Sequence, residues 1–281
     1  MKLTALRANN PVQVMAAYGA LRLLPGAKLR WADANPELDW EGDLVKALAG
    51  QLPRRRQSPE VTALDDPRDS NIGGRAGFRS LANTIPGEWL IAYASEGPDG
   101  VQDTDLLLMG GRHRFVANAR EVMDALANDE LETKLREALL GPWTYADRGL
   151  QAWGWDAAAR IDAASSPKDV SGTPKFGVAA GYWLAWESLP FWPMINRRTV
   201  GMTRDAWVYP TCREWLDAEG LRALILALQR MKDWERQKMG VTRWSAAILK
   251  PSDYGKVLGW GRPLGARTGS GSRNPGRFAP S

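Results

Sequence analysis

The residues best suited to chemistry in this 281-residue chain cluster in a few short runs. The sharpest is Met109-Gly110-Gly111-Arg112-His113-Arg114-Phe115. Adjacent glycines let the backbone approach a ligand closely, and Arg112 and Arg114 place positive charge beside them. Such a turn can cradle a phosphate or present His113 as a general base. No nucleophile lies near His113 in sequence, and a base between two cations has its protonated form disfavoured. A strand-to-helix turn or a phosphate contact is therefore the better reading. A second Gly/Arg run, Asn71-Ile72-Gly73-Gly74-Arg75-Ala76-Gly77-Phe78-Arg79, lacks the Gly-Lys-Ser/Thr of a Walker A loop and follows no strand. Arg75 and Arg79 there suit contact with nucleic-acid phosphates.

A third set lies between Pro190 and Lys256. Twelve Lys and Arg stand against seven Asp and Glu, interleaved with Trp192, Trp207, Trp215, Trp234 and Trp244. Cations can neutralise phosphates, and aromatic planes can stack on unpaired bases. Within this set Arg197, Arg198, Lys232, Arg236, Lys250 and Lys256 are the candidate nucleic-acid contacts. Most of the tryptophans are better read as core, Trp183 and Trp186 above all, because each buries a large apolar area. The carboxylate pairs Asp65-Asp66 and Asp103/Asp105 read as solvated loop residues or caps. No metal ligand, catalytic residue or cofactor is nominated.

Composition narrows the classes further. One histidine and one cysteine, Cys212, exclude a multi-His metal site, a thiolate cluster and an intramolecular disulfide. The lone cysteine fits a reducing, cytoplasmic setting. No apolar stretch is long enough to span a bilayer, so no membrane partner is expected. The net charge of +5 is uneven. Residues 1–56 carry nine basic against five acidic residues, and 57–150 carry nine against sixteen. Residues 151–261 carry fifteen against eleven, and the last twenty carry four arginines and no acid. Basic ends around an acidic middle suggest one surface for a polyanion and another for protein or solvent.

The elements that must hold these residues read as mixed α+β. Asn10 and Pro11 open a helix over 11–24, and Pro25-Gly26 closes it. A short strand at 29–31 and a short helix at 43–48 follow. Residues 53–77 read as a long mobile loop. Beyond them come a helix over 86–94, a buried strand at 106–109, and one helix from an Asn118 cap to Leu140, stopped by Gly141-Pro142. Asp156 starts a short helix. A buried helix over 177–189 is followed by a strand over 199–209, an amphipathic helix over 219–231 and a final strand over 241–249. The chain thus divides into an α+β region over 1–142 with small sheets, a helix-rich, Trp-rich region over 143–260, and a disordered basic tail over 261–281.

Several segments in order resemble a family. The run Pro11 to Leu24 looks like the opening helix of CRISPR-associated Cascade large-subunit-like proteins of type I-U (I-G) systems. Trp153-Gly154-Trp155-Asp156 through Arg160 resembles their Trp-Asp-Pro-x-x-x-Arg stretch, with Ala157 in the proline's place. The run Leu184-Ala185-Trp186-Glu187-Ser188-Leu189-Pro190-Phe191-Trp192-Pro193 is similar to their Leu-Ala-x-Glu-Ala-Leu-Pro-x-Phe-Pro signature. Thr199-Val200-Gly201, Trp207-Val208-Tyr209-Pro210 and Gly240-Val241 with Trp244 and Ile248 follow in the expected order. The likeness touches the first 25 residues and about 150–260, and it leaves the acidic middle uncovered. It implies a non-catalytic subunit at the foot of a Cascade surveillance complex. Such a subunit meets guide RNA, target double-stranded DNA near the protospacer-adjacent motif, other Cascade subunits and the helicase-nuclease. An accessory subunit of that complex, a nuclease or nucleotide-processing enzyme using His113, and a protein-only scaffold are the alternatives.

Overall fold

Two helices that bury almost every side chain form the centre of the molecule, and the rest is arranged around them. The structure is a computed structural model that describes residues 1–63, 74–108, 115–128, 130–150, 153–159, 176–252 and 255–265. The first central helix, α1 (Pro11–Leu23), starts where the sequence indicates, with Asn10 extended at the cap and Pro11 in the first turn. The second, α9 (Ala179–Glu187), is buried along its whole length and runs into a 3₁₀ turn, Leu189–Phe191. They cross at Gly19, where a Cβ would sit 1.7 Å from the Leu184 carbonyl oxygen. Only glycine permits that approach.

The remaining elements precede α9 in sequence or follow it. After α1 come β1 (Lys28–Arg30), β2 (Glu37–Asp39), α2 (Leu44–Ala49), α3 (Leu52–Arg56) and α4 (Pro59–Thr62). Then come α5 (Gly74–Ala82), α6 (Gly87–Tyr93), the hairpin β3 (Ala94–Gly97) and β4 (Gly100–Asp103), α7 (Phe115–Ala125) and α8 (Leu131–Leu140). The short pair β5 (Asp147–Arg148) and β6 (Phe176–Gly177) leads into α9. Beyond it lie β7 (Met194–Ile195), β8 (Arg198–Thr199), β9 (Ala206–Cys212), α10 (Ala218–Ala227), α11 (Asp233–Lys238), β10 (Val241–Ser252) and β11 (Gly255–Pro263). The largest sheet has the antiparallel order β11-β10-β9, and the others are two-stranded. This is a mixed α+β fold. Among the described residues, no helix is long and apolar enough to cross a membrane.

One core joins the two regions read from the sequence. Tyr209 on β9 donates its hydroxyl to the Ala8 carbonyl at 3.0 Å, and the Gly261 N–H donates to the Asn9 carbonyl at 2.7 Å. Leu29 bridges Leu216, and the Trp31 N–H reaches the Cys212 carbonyl at 2.7 Å. Eight of the fourteen tryptophans are buried, and Trp89, Trp153, Trp155 and Trp186 meet in stacked pairs at 4.7–6.1 Å around Tyr93 and Phe115. Trp183 and Trp186 are core, as expected.

Five local readings change; in one, the strand expected over 199–209 is the two-residue β8 and, after a turn, the separate β9. The stretch taken as a loop over 53–77 carries α3 and α4 and the start of α5, with prolines in the first turns of α3 and α4; residues 64–73 lie outside the described residues. The helix expected from Asn118 to Leu140 is two helices, and Asn118 lies inside the first. The break is an Asx turn in which Asn128 Oδ1 accepts from the Glu130 N–H at 3.0 Å, which lets α7 and α8 both pack on α9. Leu106 and Leu108 are buried without forming a strand, since the indole of Trp155 takes the Leu106 carbonyl at 2.8 Å. The strand expected to be last is followed by β11, so residues 261–263, assigned to the tail, are part of the sheet.

Two expectations follow. Gly19→Ala must force α1 from α9 and destabilises the fold by about 3 kcal/mol, the upper range of overpacking, seen as a lower urea midpoint. Burial raises the pKa of Tyr18, Tyr93, Tyr182 and Tyr209 above the ordinary 10.0. Their contribution to stability is full below pH 10 and is lost as pH rises above it, because only the unfolded state releases those protons there. Tyrosine absorbance should therefore rise cooperatively with alkaline unfolding; independent titration of all the tyrosines before unfolding would contradict this.

Candidate nucleic-acid interface

Buried ionisable groups are the first place to look for chemistry, and here each is held by the fold. Glu187 at the end of α9 is fully buried and accepts both 3.0 Å bonds from Arg55 Nε, with Arg22 at 3.5 Å and the Trp183 indole at 3.1 Å. Arg55 also pairs with the buried Glu60 at 2.5 Å, and both guanidinium groups lie over the Trp89 ring, at 4.8 Å for Arg22 and 5.3 Å for Arg55. Burial lowers the Arg22 pKa despite Glu187. For Arg55 burial works against the charge, but Glu187 and Glu60 outweigh it and the pKa rises. Two carboxylates and two arginines make a brace between α1, α3, α4 and α9, and removing one member of such a buried cluster is costly.

Asp156 is likewise buried. It accepts from Asn10 Nδ2 at 3.1 Å, the Tyr182 hydroxyl at 3.1 Å and the Ala158 N–H at 3.0 Å. It thereby ties the cap of α1 to the start of α9. Asp105 takes the Thr199 N–H at 2.8 Å, while its own N–H donates to Thr199 Oγ1 at 2.9 Å. Among the described residues no three His, Cys, Asp or Glu side chains gather as a metal site.

The candidate phosphate contacts separate into two groups. Arg75 and Arg79 on α5 face the β3–β4 hairpin, where Glu96 lies 3.6 Å from Arg75 and 2.9 Å from Arg79. Arg197 pairs with Asp99 of the same hairpin at 2.5 Å. It occupies the β7–β8 turn with Asn196, both at positive φ (64° and 51°), and its side chain lies across Gly97, where a Cβ would meet Arg197 Cδ at 2.8 Å. Part of the acidic middle of the chain is thus spent on the chain's own arginines. Arg198, next in sequence, is exposed and has no partner among the described residues. Arg112, His113 and Arg114 lie outside the described residues.

The second group lies on the β9–β10–β11 sheet and α11. Lys250 and Lys256 stand near one another at the end of the β10–β11 hairpin, both exposed and unpaired among the described residues. On α11, Lys232 sits at the amino-terminal cap, while Arg236 pairs with the exposed Asp233. Burial and the neighbouring Arg243 lower the Arg236 pKa.

Strand alternation sorts the two faces of this sheet. Trp207, Tyr209, Ala246 and Gly261 face the main core. On the other face, Val208, Cys212 and Val241 pack against Leu224 and Leu228 of α10 and its following turn, and against Met231. That cover ends toward β11, where Ala247, Trp260 and Arg262 are exposed.

Trp260 and Arg262 were missed in the sequence because Gly255, Gly259, Gly261 and Pro263 obscure β11, whereas Arg243 stands on the strand expected over 241–249 and was not singled out. The alternation Gly259, Trp260, Gly261, Arg262 was the available signal. The chain matches no protein-family model and no curated protein.

Glu187→Gln leaves two buried guanidinium groups facing one carboxylate and costs about 3 kcal/mol, as breaking a buried pair does. The check is the urea midpoint. Nucleic-acid affinity of the folded variant should be unchanged; loss of binding in the folded state would place Glu187 in the interface.

Proposed function

We propose that this chain is a non-catalytic nucleic-acid-binding subunit of a type I CRISPR Cascade surveillance complex. In this reading it contacts target duplex DNA near the protospacer-adjacent motif, aids R-loop formation and helps recruit the helicase-nuclease. The ordered resemblance to type I-U/I-G subunits supplies the class. The observation that carries the binding role is the contrast between two sets of cations. Arg75, Arg79 and Arg197 are paired within the chain, three cations to the two carboxylates of Glu96 and Asp99, whereas Arg198, Lys250, Lys256 and Arg262 are exposed with no partner among the described residues. Unpaired surface cations are available to replace the counterions of a phosphate backbone.

The test is reconstitution with guide RNA and partner subunits, followed by target binding across a salt series. Alanine at Lys250, Lys256 and Arg262 should reduce the slope of log affinity against log salt by about 2–3, close to 0.9 per lost phosphate contact. Alanine at Arg75 and Arg79 should change it by less than about 1. Full target binding by a complex assembled without this chain would defeat the proposal. An unchanged salt slope in the triple variant would favour a protein-only scaffold.

A further inference from the structure

The bare part of the sheet has a shape that charge alone does not explain. Between the pairs Ala246–Gly261 and Ile248–Leu258, β11 carries one residue more than β10, so Gly259 and Trp260 together oppose Ala247. Such a bulge re-aims a side chain. Both neighbours of Trp260 are glycines under tight constraint. A Cβ on Gly261 would lie 2.0 Å from the Tyr209 hydroxyl, and one on Gly259 would lie 2.9 Å from Leu249 Cδ1. The strand is therefore pressed onto the core at Gly261 and against the Leu249 side chain at Gly259, on either side of the one large ring, which remains 42% exposed. Arg262 follows two residues later on the same face, opposite Ser245, and Arg243 lies one step further along that face of β10. Arg243 Nε is buried without a hydrogen-bond partner, and the Ser245 hydroxyl has none among the described residues. The exposed acid at the margin is Asp205, whose backbone carbonyl takes the Ile248 N–H at 2.8 Å.

We propose that this open face binds single-stranded RNA, with a base stacked on Trp260 and the adjoining phosphates on Arg262 and Arg243. The proposal rests on the nucleic-acid-binding reading above and deepens it by naming the strand. An exposed indole on an open sheet face beside guanidinium groups suits a splayed base, which a duplex does not offer. The small floor of Ala247 and Ser245 leaves room for the base edge. The Ser245 hydroxyl, between the two arginines and without a bond among the described residues, is a partner for a ribose 2′-hydroxyl, and this favours RNA over DNA.

The experiment uses the full chain and three fluorescein-labelled probes in anisotropy titrations at one salt concentration. These are a 15-nucleotide mixed-sequence RNA, the DNA strand of the same sequence, and its blunt DNA duplex. Trp260→Ala should weaken RNA binding about tenfold, within the range of one lost base stack. W260F should recover most of it, and duplex affinity should stay within about twofold in both variants. Ser245→Ala should narrow the gap between RNA and single-stranded DNA. Thermal melting of each variant guards against a folding effect, which an exposed ring is not expected to produce.

If W260A keeps its RNA affinity while K250A/K256A loses affinity for every probe, the stacking face is overturned and the general binding role stands. Equal binding of the RNA and DNA strands, insensitive to S245A, overturns the assignment to RNA. Failure of the wild-type chain to bind any probe, alone or in the assembled complex, overturns the parent reading as well.

Discussion

The contact between Gly19 on α1 and the Leu184 carbonyl on α9 sets the distance on which the rest of the molecule depends. With the two backbones touching, Arg22 at the end of α1 comes within 3.5 Å of Glu187 at the end of α9. The same approach lays Tyr18 against Phe191 and Trp192, at 6.3 and 6.2 Å between ring centroids. A wider crossing would leave Glu187 buried with fewer partners, an arrangement more costly than the pair itself is favourable. The helix contact and the ion cluster therefore reinforce one another. Arg55 and Glu60 extend the brace to α3 and α4, so the amino-terminal segment is held by charge as well as by apolar packing.

Tryptophan fills a core that has few phenylalanines, and this has a consequence for the surface. Indoles bring N–H groups inside, and several find backbone carbonyls: Trp153 reaches Phe115 at 2.9 Å and Trp155 reaches Leu106 at 2.8 Å. These bonds fix irregular backbone around the rings. Against that background the exposed tryptophans, Trp215, Trp234 and Trp260, are a small and distinct set. Trp215 lies beneath Arg30, 4.5 Å from its ring centroid, and so already has a cationic partner. Trp260 is set apart by the bulge and by the glycines that flank it.

The α+β class and the two central helices were legible because their signals are local. Pro11 after Asn10 opens α1, and an apolar run closed by Pro190 marks α9. The α7–α8 break was not legible, since Asn128 turns the chain only because both helices then reach α9, a tertiary gain that periodicity does not report. Arg54-Arg55-Arg56 fell in the stretch read as a mobile loop, yet Arg55 turns inward to two carboxylates distant in sequence or across a turn. The candidate interface was half legible. Lys250 and Lys256 could be nominated from composition, but the pairing of Arg75, Arg79 and Arg197 with Glu96 and Asp99 depends on a hairpin contact between segments up to 98 residues apart.

The glycines of β11 link these observations. They obscured the strand in the sequence because glycine weakens a strand pattern. In the fold, Gly261 is required by Tyr209, whose hydroxyl is bonded to Ala8, and the Gly261 N–H is bonded to Asn9. Ala8 and Asn9 lie just before the Asn10 cap of α1, and Asn10 in turn holds Asp156. The exposed ring of Trp260 is thus connected, through a short series of backbone contacts, to the start of the central helix. A surface residue fixed this closely to the core loses little entropy when a ligand covers it, and pre-organisation of that kind strengthens binding. The tight packing of the sheet edge and the exposure of its one large ring are two results of the same constraint.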